Sequence, residues 1–142
     1  MNSPLAHALP HHTVIWMDHR QAHIISFDSE REVGAQVHAH HTPEHLHHKA
    51  NTRGSGHAPV DQAFLRDIVE AVRHSGHILV TGPSGAKNDW CRFVELHHPQ
   101  TFQKIVGVQS LDHPSDGQLL ALARKFMRAA DRMYSQTDPH SL

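Results

Sequence analysis

The order of hydrophobic periodicities constrains this chain most. Three short runs with strand spacing come first, and stretches with helical spacing then alternate with further strand-like runs. Thr13 to Met17 holds Val14, Ile15, Trp16 and Met17 in one continuous apolar run, the pattern of a strand buried on both faces. Asp18 to Gln21 supplies a polar turn, and Ala22 to Phe27 reads as a second strand with Ile25 and Phe27 on one face. After a turn at Asp28 to Arg31, Val33, Ala35 and Val37 alternate with Gly34, Gln36 and His38, which predicts a third strand with one apolar face.

Between Ala39 and Ala58 the periodicity stops, and His, Thr, Pro, Asn, Gly and Ser fill the segment. Loops beyond about 12 to 15 residues are uncommon inside a compact domain and are usually functional or disordered. Pro59 is expected to open a helix whose stripe is Phe64, Ile68 and Val72, ended by Ser75 and Gly76. His77 to Thr81 reads as a buried strand, Asn88 to His97 as a helix stopped by Pro99, and Ile105 to Val108 as a further strand. A last helix, capped by Ser115 or Asp116, places Leu119, Leu122, Phe126 and Ala130 on one face, supported by Ala123, Met127 and Met133.

The order β-β-β-α-β-α-β-α predicts an α/β fold with a mixed sheet of ribonuclease-H-like topology, antiparallel at its start and parallel where helices intervene. With 142 residues the chain suits one hydrophobic core. The expected organisation is a disordered arm over residues 1–12, one domain over 13–134 and a flexible tail over 135–142.

A formal charge of −1 excludes a uniformly basic nucleic-acid coat, so any RNA contact must come from a local patch. The 18 histidines make the surface increasingly cationic below neutrality. Cys91 is the sole cysteine, which excludes an internal disulfide and fits a cytoplasmic protein with a packed helical thiol. Neither a secretory leader nor an apolar run of membrane-spanning length is legible.

The loop divides into two chemistries. Its first half repeats a histidine word, His38-Ala39-His40-His41 and His45-Leu46-His47-His48, so His38, His40, His45 and His47 are candidate zinc ligands. A solvated, composition-biased loop is the ordinary alternative. The second half, Lys49 to His57, carries Lys49 and Arg53 with Gly54, Gly56 and His57, a basic tip whose glycines let main-chain amides approach phosphate or sugar. Those five residues are the candidate RNA contacts, with a linker as the alternative.

Gly82 to Lys87 follows a strand and precedes a helix, but Ala86 separates Gly85 from Lys87 and Asn88 follows, so the Walker pattern fails. Gly82, Gly85 and Lys87 remain a candidate weak anion site beside the simpler reading of a tight turn. Asp18 and Glu70 are the only acidic candidates for a two-metal nuclease, and Asp112, His113 and Asp116 lack a nucleophile motif and read more simply as turn and capping residues.

Asp18-His19-Arg20-Gln21-Ala22, the glycine-bearing basic loop, Gly82-Pro83-Ser84-Gly85-Ala86-Lys87 and Asp112-His113-Pro114-Ser115-Asp116-Gly117-Gln118 together resemble the bacterial translational machinery proteins. That family is similar to the central domain of eukaryotic and archaeal class-one peptide release factors and of Pelota. The resemblance, over roughly Thr13 to Tyr134, implies a domain that works on the ribosome with its long loop turned toward functional RNA. Release factors carry Gly-Gly-Gln in that loop, whereas this chain has Gly54-Ser55-Gly56-His57. The resemblance therefore implies ribosome binding without peptide release, as in Pelota; the residues point to no certain cofactor, with zinc held by the loop histidines as the alternative.

Overall fold

Strand β1 (His12–Met17) lies at the centre of the molecule because its apolar run offers no polar face to water: Val14, Ile15 and Met17 are fully buried and Trp16 nearly so. The computed structural model describes residues 11–40 and 61–137, with side chains through residue 132. On one side β1 pairs antiparallel with β2 (Gln21–Phe27), which pairs antiparallel with β3 (Glu32–His38). On the other side it pairs in parallel with β4 (His77–Gly82), and β4 with β5 (Ile105–Ser110). The mixed sheet thus runs β3-β2-β1-β4-β5.

Among the described residues the helices are α1 (Gln62–Val72), α2 (Ala86–His97), the short α3 (Pro99–Phe102) and α4 (Asp116–Thr137). Because successive strand residues face opposite sides, β1 feeds two cores. Ile15 and Met17, with Ala22, Ile24, Ile78 and Val80, pack against Phe64, Leu65, Ile68 and Val72 of α1 and Trp90, Phe93 and Val94 of α2. Val14 and Trp16, with Ile25, Phe27 and Leu79, pack against Leu119, Leu120, Ala123 and Met127 of α4. Trp90 is wholly buried and its indole N–H donates to the Leu65 carbonyl at 3.2 Å, so a large polar-tipped ring is accommodated without an orphaned donor.

Several sequence expectations shift. The first described helix starts after Asp61, not at Pro59: the Asp61 backbone is extended and its Oδ1 accepts the Phe64 amide at 2.9 Å, an N-cap a proline cannot provide. Val33, Ala35 and Val37 do not make a buried face. β3 is an edge strand, Val33 and Ala35 are exposed, and Val37 alone of the three packs partly against the core. α2 begins at Ala86, two residues before Asn88, and α3 adds a turn started by Pro99.

In α4 the buried stripe is Leu119, Ala123 and Met127, while Leu122 and Phe126 lie at its partly buried margin. Ser115 is the capping residue: its Oγ accepts the Gln118 amide at 3.1 Å and Gln118 Oε1 accepts the Ser115 amide at 3.0 Å, a reciprocal capping box. The helix runs through Thr137, and the expected tail beyond it lies outside the described residues. Cys91 packs partly buried in α2, as expected.

Candidate functional site

The carboxyl ends of β1, β4 and β5 share one end of the sheet, where ligands of open α/β sheets usually bind. β3 ends there too, because Gln21 pairs with His38. The stems of the long loop, which enters after His40 and leaves at Asp61, therefore stand beside the Asp18 turn.

Asp18 shapes that turn. Its Oδ1 accepts the amides of Arg20 at 2.8 Å and Gln21 at 3.0 Å, while the Arg20 carbonyl accepts the Ala39 amide at 2.8 Å and holds the end of β3 against it. His19 Nε2 lies 3.5 Å from Asp89 in the first turn of α2. The Asp18 carboxylate is thus spent on backbone, and Glu70 pairs with Arg73 at 3.1 Å. Among the described residues neither joins a cluster able to hold a metal pair.

His40 anchors the loop. Its backbone amide donates to Asp61 Oδ2 at 2.7 Å and its Nε2 meets Asp67 Oδ2 of α1 at 2.7 Å. His38 is exposed on β3. Around them Gln36, Val37, Asp67, Glu70 and Ala71 line an open groove of about 520 Å³. His45 and His47, and the RNA-contact candidates Lys49, Arg53, Gly54, Gly56 and His57, lie outside the described residues.

Gly82 ends β4 at φ +157°, and a Cβ there would overlap the Met17 carbonyl oxygen. Gly85 precedes α2 with ordinary right-handed backbone. Lys87 is buried, and its Nζ donates to the Ser84 carbonyl at 2.6 Å, so the ammonium closes its own turn.

Beside this turn Trp16, Gln21, His23, His113, Pro114, Asp116 and Leu119 line a cleft of about 150 Å³. The Trp16 indole N–H donates to the Asp112 carbonyl, and the His113 ring lies 4.9 Å from the Trp16 ring. His23 Nδ1 stands 3.8 Å from Asp116 Oδ1. Sequence reasoning missed Trp16 and His23 as cleft residues, because Trp16 sits in a run that reads as pure core.

No protein-family model and no curated protein matches the chain. Solved structures do. Pelota from Archaeoglobus fulgidus aligns over 82% of this chain and 31% of its own, with 11% identity and a TM-score of 0.57. The archaeal translation termination factor aligns over 87% and 39%, with 12% identity and a TM-score of 0.55. A Saccharomyces cerevisiae translation termination-like factor involved in RNA quality control pathways aligns over 88% and 36%, with 10% identity and a TM-score of 0.55. The fold is Pelota- and release-factor-like. The chain spans about a third of the length of those proteins. Among the described residues no helix is long and apolar enough to cross a membrane.

Proposed function

We propose that this chain is a translation-associated, non-catalytic module of the cytoplasm that binds the ribosome or another structured RNA through the loop of residues 41–60. The bacterial translational machinery proteins resembled by its motifs would be its relatives. The observation that carries the reading is the position of the loop stems: His40 and Asp61 join at the carboxyl end of the sheet, on a fold shared with translation termination factors. Lys49 and Arg53 supply cationic contacts to phosphate, Gly54 and Gly56 a backbone that can lie close to RNA, and His57 a further donor. Gly82, Gly85 and Lys87 form at most a minor anion contact, since Lys87 is engaged with Ser84.

The absent glutamine argues against hydrolysis of peptidyl-tRNA, because Gly54-Ser55-Gly56-His57 offers no group matching the release-factor tripeptide. Cosedimentation with purified ribosomes tests the proposal. The wild-type chain is expected to pellet with ribosomes at low salt, and Lys49→Ala combined with Arg53→Ala to remain largely in the supernatant. Equal pelleting of both would remove the loop as the contact.

A further inference from the structure

His12 and His77 are register partners at the starts of the parallel pair β1 and β4, so their side chains stand side by side on one face of the sheet. Their Nδ1 atoms are 3.3 Å apart. His11 precedes β1, and its carbonyl accepts the amides of Gly76 at 2.7 Å and His77 at 3.4 Å, which fastens it to the turn entering β4. The His11 ring lies over Gly76, where a Cβ would overlap it, and stands edge-on to the rings of His12 at 5.1 Å and His77 at 4.9 Å. One ring nitrogen from each of the three falls within 4.8 Å of the others. From α4, Asp131 brings Oδ2 to 4.0 Å from His12 Nε2, the nitrogen turned away from His77.

We propose that His11, His12 and His77 form a three-imidazole site for a borderline divalent metal such as zinc, with Asp131 orienting the His12 ring from behind. Two nitrogens each about 2.0–2.1 Å from a tetrahedral ion lie about 3.3–3.4 Å apart, the spacing His12 and His77 already have. The third edge closes by rotation of the exposed His11 ring. An all-nitrogen donor set selects zinc, cobalt, nickel or copper over magnesium and calcium, whose preferred ligands are oxygens. A carboxylate behind a ligating imidazole is the usual outer-shell partner of such sites. Three protein ligands leave one tetrahedral position for water or an exogenous donor.

The site does not depend on the loop. β1 runs from His12 to Met17, so the site lies at the opposite end of the strand from the loop stems at His40 and Asp61, roughly 17 Å along it. That separation matters experimentally, because the loop histidines also invite metal.

Co²⁺ added to the full chain, followed by its visible absorption and displaced with Zn²⁺, tests the assignment. One equivalent per chain is expected to give tetrahedral cobalt bands. The bands should persist in a variant with His38, His40, His45 and His47 all changed to Ala, and disappear in His77→Ala. Gly76→Ala displaces only the exposed His11 ring, and Asp131→Asn removes only the orienting charge. Both should remain folded by circular dichroism; Asp131→Asn should bind Co²⁺ about 10- to 100-fold more weakly, the loss typical of outer-shell changes, and Gly76→Ala, which displaces a ligand, more weakly still. These two variants decide the matter if His77→Ala does not fold. Bands that survive in His77→Ala, vanish in the loop variant, or keep full affinity in both Gly76→Ala and Asp131→Asn would overturn the site, as would their absence from the wild-type chain.

Discussion

The backbone amide of His40 donates to Asp61 Oδ2 at 2.7 Å, joining the two stems of a long loop through one carboxylate. The other oxygen of that carboxylate caps α1 by accepting the Phe64 amide at 2.9 Å. One side chain thus starts a helix and closes a loop.

Asp61→Ala is therefore expected to destabilise the chain by about 1–2 kcal/mol, the usual size of a lost N-cap with a partly exposed hydrogen bond. Urea unfolding measures this directly. The same variant should weaken ribosome binding although Asp61 is itself acidic, because the stems are released. An increase in binding would show that charge alone matters.

Gly82→Ala is expected to cost at least about 2 kcal/mol, since the new Cβ would overlap the Met17 carbonyl oxygen at a backbone conformation that side chains rarely adopt. A midpoint shift in urea with unchanged slope would report it. A variant as stable as wild type would contradict the close approach of β1 and β4 at this end.

Asp28 accepts the amides of Glu30 at 2.9 Å and Arg31 at 2.7 Å and the Arg31 side chain at 3.0 Å, and these bonds hold its carboxyl at a pKa of about 2 against an ordinary 3.8. A depressed folded-state value means stabilisation that is complete above pH 3.8 and lost as pH falls toward 2. Asp28→Asn should be less stable than wild type at neutral pH, and the gap should narrow over that acid window. A gap independent of pH would contradict this role of the carboxylate.

Burial raises the Cys91 thiol to about 11 from 9.0, so near neutrality its thiolate fraction is about 100-fold below that of a free thiol. Reaction with a disulfide reagent should be correspondingly slow in the folded chain and fast in denaturant. Equal rates in the two states would place Cys91 at an open surface.

Much of the fold was legible because β1 carries its apolar residues without interruption and α4 repeats them at helical spacing. The exposed face of β3 was not legible: Val33, Ala35 and Val37 alternate as a half-buried strand would, and only the folded structure reveals that β3 is an edge strand with Val33 exposed. The site was divided in the same way. The loop announced itself through composition, whereas His12 and His77 are 65 residues apart and meet only through the parallel register of β1 and β4. Trp16 was likewise hidden, since a cleft-lining tryptophan and a core tryptophan look identical within an apolar run.

The salt dependence of ribosome affinity tests the central claim most directly. For the wild-type chain, log affinity plotted against log salt between about 50 and 200 mM should fall steeply, as phosphate contacts release counterions. Replacing Lys49 and Arg53 together by Ala should weaken binding and reduce the slope by about 2, one contact for each cation. An unchanged slope and affinity in that variant would contradict an RNA contact made by the loop.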